Sequence, residues 1–498
     1  VFAAPHFVDL LLQRRGMLPP RGGEVRTTLD LVLNRFAERS LDEQLSKIAD
    51  KHATSGAVVV IENATGDVLA LAGSGDYFRA GAGQVNGAWM IRSPGSAVKP
   101  FTYTLALERG ANPCTVVPDV PTDFSTDTGL YRPNNYNHHF YGPVSLRFAL
   151  GNSLNVAAIR TLQLAGGPEA LHRRLLDLGI TTLDHATEDY GPGLTLGNGE
   201  VRLLELTSAF ATIGRLGIHR PFRLLLREPA DALRGRRVCD ARAAFLVADM
   251  LADNTARAAS FGLDSFLAFD FPVACKTGTS SDYRDNWAMG CTPEFTVGVW
   301  VGNADGSPMR GITGVTGAAP VLHEIFTHLH ERRGTSWFAQ PEGIREYTVH
   351  PLTGRAVAAG TAGAVVEKCI SEPEPARASD FDAKGRVVLS PEYAQWLASP
   401  QNSLGDLVAC ADASPQLRIL TPPPGATYFL DPDLPAAAQC IPLRAESGGA
   451  IEWTSVSLPL ENTNAHERAR LREGRHVISA RDLATGATAE TWIEVRGL

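Results

Sequence analysis

No run of roughly 18 apolar residues occurs anywhere in this chain, so nothing in it is expected to cross a bilayer. Positive charge is not in excess either: 46 Lys and Arg stand against 54 Asp and Glu, for a formal net charge of −8. That balance argues against nucleic acid as the main partner. Cysteine is scarce. Its seven occurrences, at 114, 239, 275, 291, 369, 410 and 440, include no CxxC pair. A zinc knuckle is therefore not expected, and a dense disulfide framework is excluded. One bridge, Cys369 with Cys410 or Cys410 with Cys440, stays open beside free buried thiols. Also missing are an initiator Met and a charged-then-apolar leader: the chain starts at Val1, and Val1 to Pro20 reads as the tail of something upstream. The expectation is a piece of a longer protein whose membrane anchor lay before it.

What is present is globular. With 44% hydrophobic and 20% charged residues, and 47 Gly and 32 Pro spread along 498 positions, two to four packed units are expected. Glu24 to Asp30 alternates like a strand, and Leu29 to Asp50 then has helical spacing. AVVVIEN and VLALAGS, joined by Ala64-Thr65-Gly66-Asp67, read as a hairpin. Helices are predicted over Asn155 to Leu164, Pro168 to Leu178, Leu203 to Ile213 and Ala241 to Leu251. Two strand-like runs, FPVACKTG and FTVGVWVGN, flank a polar turn, Ser280 to Asn286. The expected layout is a linker over 1–50, a large α/β (α+β) domain over 51–330 with an antiparallel sheet flanked by helices, and an irregular connector over 331–415. Residues 416–498 read as an all-β, immunoglobulin-like sandwich.

Three short motifs fall in order inside the α/β region. They are Ser96-Ala97-Val98-Lys99 behind Pro94-Gly95, then Ser153-Leu154-Asn155, then Lys276-Thr277-Gly278-Thr279. Taken singly each has an ordinary use: Ser96 as a helix cap, Ser153 and Asn155 as loop hydrogen-bonders, the third as a polar strand edge. Together they describe an activated serine. Ser96 and Lys99, at i and i+3, share a helix face, and serine needs a base to take its proton. Lys99 serves only when neutral, which requires about 4 kcal/mol of discouragement relative to its ordinary pKa near 10.4. A second lysine at about 4 Å supplies that much at an effective dielectric near 20, and Lys276 is the candidate, helped by burial. Ser153 would relay a proton, and Asn155 would orient Lys99 and a substrate amide. Thr277, Gly278 and Thr279 would bind substrate along an edge strand. The N–H groups of Ser96 and Thr279 would hold an oxyanion.

The three motifs resemble the signature of penicillin-binding proteins and class A β-lactamases. SPGSAVKPFTYTLALERG, YRPNNYNHHFYGPVSLRFALGNSLNVAA, LTLGNGEVRLLELTSAFATIGRLG and VACKTGTSSDYRDNWAMGCTPEFTVGVWVGN are similar to transpeptidase segments of class A penicillin-binding proteins, over roughly residues 24 to 330. GRHVISARDLATGATAETWIEV resembles the sandwich appended in the 1C branch. This resemblance implies a serine transpeptidase fold acting on the D-Ala-D-Ala end of peptidoglycan stem peptides and trapped by β-lactams. It also implies work at the outer face of the cytoplasmic membrane, in the periplasm. No glycosyltransferase pattern is found, so glycan polymerisation is not carried over. No cofactor or metal is expected: His138-His139 lacks a third ligand at useful spacing and reads as a loop. Trp287, Trp300 and Phe210 are expected in the core, Asp282 and Asp285 as local loop partners, and Trp453 and Trp492 in the sandwich core. The sandwich itself is read as a unit that binds the wall or wall-synthesis proteins. The rival readings are a D,D-carboxypeptidase or β-lactamase, and a sensing or scaffolding module with little turnover.

Overall fold

The computed structural model describes residues 3–13, 24–126, 129–226, 235–411, 417–432, 435, 438–447, 449–463 and 466–497. Two compact units emerge, one of Val1–Asp119 with Asn134–Asp380 and one of Val120–Pro133 with Phe381–Leu498.

In the first unit, a short helix α1 (Pro5–Gln13) buries Phe7, Leu10 and Leu11 in the main core. Of the stretch read as an upstream tail, residues 1–2 and 14–20 lie outside the described residues. Helix α2 (Leu31–Lys47) starts where Asp30 accepts hydrogen bonds from the Val32 and Leu33 N–H groups, at 3.0 and 3.1 Å. Its stripe Leu33, Ala37, Leu41 and Leu45 repeats every four residues and is buried. The strand expected over Glu24 to Asp30 does not form. Among the described residues a single bridge, Thr27 with Leu225, is made, and the Thr28 hydroxyl turns onto the Val68 carbonyl at 2.9 Å.

The hairpin is there as β1 (Ser55–Glu62) and β2 (Val68–Ala72). A short strand β3 (Val116–Asp119) lies outside the main sheet. Three further strands, β4 (Ala274–Thr279), β5 (Asp285–Cys291) and β6 (Phe295–Gly302), complete an antiparallel sheet in the order β4–β5–β6–β1–β2. The stretch read as a turn running to Asn286 ends two residues earlier, and an unexpected strand, β5, follows it, because Asp285 and Asn286 already pair with Gly302 and Val301.

Strand alternation divides the core in two. From β1, Ala57, Val59 and Ile61 face one cluster, while Val58 and Val60 face the other. The first cluster is closed by α3 (Lys99–Glu108), α4 (Asn155–Leu164) and α5 (Leu203–Gly214), the last buried along its whole length. The second is closed by α2 and α6 (Ala319–Arg333). Within the stretch read as a connector, Arg345–Val349 and Val365–Cys369 form a hairpin of this same unit, tied down by Glu367 and Lys368 to Arg147 and Asp249. The Cys369 thiol faces Cys114 at 3.7 Å rather than a later cysteine, and the cysteines are unbridged.

The second unit is β-rich. One sheet runs Ala426–Leu430, Thr488–Gly497, Gly474–Asp482, Ile451–Thr454; another runs Cys440–Pro442, His466–Arg470, Leu460–Thr463. Ile441 and Ala469 from the second sheet meet Ile478, Ile493 and Val495 from the first in one core. Trp453 packs against that core, but Trp492 does not belong to it. The period of two turns Trp492 to the opposite face from Ile493, where the Arg475 guanidinium lies 3.9 Å over its ring.

Phe326 of α6 is fully buried, and its ring covers Gly290 of β5 so closely that a β-carbon there would lie 2.6 Å away. Phe326→Ala is expected to lower unfolding free energy by about 3–5 kcal/mol. A reduced urea midpoint at unchanged denaturant slope would show it.

Candidate active site

The chain reaches Ser96 through a turn that only glycine permits. Gly95 has φ 51°, and a β-carbon on it would sit 2.5 Å from the Thr279 carbonyl oxygen. From the other side, a β-carbon on Gly278 would lie 2.2 Å from the Pro94 carbonyl oxygen and 3.1 Å from the Ala97 nitrogen. The serine turn and the edge strand β4 are thus in backbone-to-backbone contact. Two more bonds pin the turn: the Trp287 indole donates to the Ser93 carbonyl at 2.8 Å, and the Ser93 hydroxyl to the Gly197 carbonyl at 2.9 Å. The turn is a 3₁₀ segment, Gly95–Val98, which passes into α3 at Lys99. Regular α-helix therefore begins at Lys99, so Ser96 and Lys99 are joined by a 3₁₀ turn and not by the α-helical face expected.

Lys99 is fully buried, and its ammonium donates to the Ser153 carbonyl at 2.6 Å, the Leu154 carbonyl at 3.0 Å and Asn155 Oδ1 at 2.7 Å. Lys276, also buried, donates to Ser153 Oγ and to its neighbour's carbonyl, Thr277 O, both at 2.8 Å. Ser153 thereby joins the two lysines, its carbonyl on one and its hydroxyl on the other. It does so from φ 58°, left-handed backbone that a non-glycine residue seldom adopts. Among the described residues, the Ser96 hydroxyl has no hydrogen-bond partner; the expected bond to Lys99 is replaced by the lysine's three bonds to 153–155.

Burial holds the Lys99 pKa well below the lysine range, and the Lys276 charge adds to the push while Asp119 opposes it. The weights are the reverse of the sequence expectation, in which the second cation led. Lys276 is itself lowered to about 7, first by burial and then by the Arg257 guanidinium. Arg257 is buried; it donates to the backbone carbonyls of Leu251 and Asp253 and bonds the Cys275 thiol.

The structure brings together Ser96, Lys99, Ser153, Asn155, Lys276, Thr277, Gly278 and Thr279 at one edge of the sheet. Two of them are already engaged in ways the sequence did not indicate. The Asn155 amide NH₂ donates to the Asn134 carbonyl at 2.7 Å, and Thr279 Oγ1 accepts the Gly314 N–H at 3.2 Å. Sequence reasoning also missed Tyr136 and Tyr283, whose hydroxyls meet at 3.1 Å between the Asn134 and Ser280 loops. It missed Asp119, Asn135 and Arg257 as well. No motif marks any of these; they are single polar residues whose partners are distant in sequence. Trp287, Trp300 and Phe210 are core, and Asp285 pairs locally with Ser280 at 2.9 Å and with the Trp300 indole at 2.9 Å.

Comparison with known proteins gives a consistent picture. The Penicillin binding protein transpeptidase domain family matches residues 56–326, and the Penicillin-Binding Protein C-terminus Family matches residues 408–495. Penicillin-binding protein 1C of Escherichia coli (strain K12) is 32% identical over 65% of this chain and 40% of its own length. Penicillin-binding protein 2D of Bacillus subtilis (strain 168) is 27% identical over 75% of this chain and 56% of its own. The chain thus spans about half the length of these relatives or less. Among solved structures, penicillin-binding protein 1A from Haemophilus influenzae superposes with TM-score 0.63 at 19% identity, over 76% of this chain and 77% of the other. PonA1 of Mycobacterium tuberculosis in complex with penicillin V gives 0.55 at 22%, over 71% and 96%. At those identities the two structures speak for the fold.

The Lys276 ammonium is expected to titrate near pH 7, followed by NMR of its Nζ-bearing methylene. Because the Arg257 charge disfavours a second cation, Arg257→Met is expected to move that midpoint upward.

Proposed function

The chain belongs to the penicillin-binding protein transpeptidase family, and from that premise we propose that it is a peptidoglycan D,D-transpeptidase with Ser96 as nucleophile. With the C-terminus family beside the transpeptidase domain, its organisation is that of the 1C-like class A members. The family makes it a cell-wall protein of serine acyl-transferase type. The observation that carries the finer reading is the convergence of Lys99 and Lys276 on Ser153, beside a serine whose hydroxyl has no hydrogen-bond partner among the described residues.

The chemistry follows from those contacts. Ser96 Oγ adds to the carbonyl carbon of the penultimate D-alanine while its proton passes to neutral Lys99. For that, Lys99 must direct a lone pair at Ser96 and release one of its three acceptors, which its low pKa makes inexpensive. The oxyanion forms beside the Ser96 and Thr279 N–H groups, where each donor is worth about 2.7–4 kcal/mol. The contact of Gly95 with the Thr279 backbone supports that pairing. The C–N bond then breaks. Lys276 donates to Ser153 Oγ, so the Ser153 hydrogen is free to go to the departing D-alanine amine while Ser153 Oγ takes a proton from the Lys276 ammonium. An amine of a second stem peptide then attacks the Ser96 ester: its proton returns through Ser153 to Lys276, the Ser96 Oγ–C bond breaks, and Lys99 gives its proton back to Ser96. A β-lactam ring would enter by the same first step and stop at the ester.

Thr277 and Gly278 lie on the outermost strand of the sheet, which supports a substrate laid along that edge. The substrate class implies action outside the cytoplasmic membrane, in the periplasm. No helix among the described residues is long and apolar enough to cross a membrane. For the second unit we propose a binding role toward the wall or wall-synthesis proteins.

Fluorescent penicillin is expected to label the wild type covalently and to leave Ser96→Ala unlabelled on a denaturing gel. Lys99→Arg, which keeps the charge but cannot deprotonate, is expected to slow acylation by about 10²–10⁴-fold. With a D-Ala-D-Ala peptide, an added amine acceptor should appear in the product. Product formed only with water would instead make the protein a carboxypeptidase.

A further inference from the structure

Among the described residues the two lysines form no ion pair, yet one buried carboxylate, Asp119, acts on Lys99. Asp119, at the end of β3, is fully buried and likewise forms no ion pair. A buried anion without a cation in contact is costly, so its neutral partners carry the burden of holding it. They are specific. Both carboxylate oxygens accept from the Asn135 amide at 2.9 Å, and one accepts the Tyr141 N–H at 2.9 Å. The Ala157 N–H adds another bond.

These partners lead directly to the site. Helix α4 begins at Asn155, and its cap residue Leu154 has no side chain able to satisfy the free N–H groups of the first turn. The missing acceptors come from elsewhere in the chain: Asn135 Oδ1 takes the Asn155 N–H at 2.7 Å, and Asp119 takes the Ala157 N–H. Asn135 is fixed in turn by the His139 carbonyl at 2.9 Å as well as by Asp119. Asn155, Leu154 and Ser153 provide the three acceptors of Lys99. A displaced first turn of α4 would displace all three.

We propose that Asp119 is a positioning residue for acyl transfer, holding the start of α4 through Asn135 and offsetting the charge that Lys99 gains when it takes the serine proton. This rests on the reading of Ser96 and Lys99 as nucleophile and base. The titratable groups around Asp119 are Lys99 and Tyr103 on α3, with Lys276 on β4 acting on Lys99 from the other side. Burial raises the Asp119 pKa to about 6, so it is charged through the neutral and alkaline range. Its anion favours protonated Lys99. Removing that charge lowers the lysine pKa, and the neutral base then appears at lower pH.

The test is the pH profile of fluorescent-penicillin acylation in the full chain, with Asp119→Asn, Asp119→Glu and Asn135→Ala beside the wild type. Asp119→Asn should move the ascending limb to lower pH by about one unit and reduce the plateau by roughly tenfold to a hundredfold. Asp119→Glu should restore the position of the limb. Asn135→Ala keeps the carboxylate, so it should lower the plateau and leave the limb in place. A profile for Asp119→Asn that is unmoved, or reduced only in step with its folded fraction by circular dichroism, overturns the proposal. If Asp119→Asn does not fold, Asn135→Ala decides: an unchanged plateau overturns it. Labelling of Ser96→Ala at the wild-type rate would sink the underlying site reading instead, and that result is distinct from all of these.

Discussion

Everything at this site depends on keeping an amine out of water. Lys99 has no exposure at all, and an ammonium in that position survives only because three oxygens are arranged around it. The arrangement is balanced. Burial and Lys276 favour losing the proton; the three acceptors and Asp119 favour keeping it. A group poised in this way can change protonation state with little rearrangement, which is the property a proton acceptor needs.

That balance is distributed over the fold. The lysine belongs to the helix behind the serine turn, its acceptors to the start of a second helix, its electrostatic neighbour to the edge strand, and its counter-charge to a short strand outside the main sheet. Packing fixes their mutual positions: α3, α4 and α5 share one apolar cluster with one face of the sheet. Ser153 is the meeting point, and its left-handed backbone is what turns carbonyl and hydroxyl toward different lysines. Backbone held in a sparsely populated region at a reacting centre is strain that the surrounding structure must sustain.

Much of this was legible in the letters. The hairpin AVVVIEN–VLALAGS and the helix Asn155–Leu164 follow from apolar spacing and turn residues, and the three motifs named the groups the fold brings together. What escaped did so for identifiable reasons. DNWAMGC opens with two polar residues, so it read as the end of a turn, although Asp285 is satisfied internally by Ser280 and the Trp300 indole. EVRTTLD alternates well but has a partner for one bridge only. Trp492 was expected in the sandwich core, whereas its neighbours in a period of two are the ones that face it. Asp119, Asn135 and Arg257 are single polar residues whose meaning lies in contacts across 16 or more positions, and no local pattern announces such contacts.

The contact of Gly278 with Pro94 leaves no compressible layer between strand and serine turn. Side chains cushion most interfaces in a protein, and rotamers can yield there by fractions of an ångström. Here peptide meets peptide, so the reactive oxygen and the rail on which a ligand would lie must shift together or not at all. Accommodation of ligands of different bulk is thereby left to the flanking loops, the stretch 280–284 with Tyr283 and the one around Gly314, while the reach from rail to oxygen stays constant.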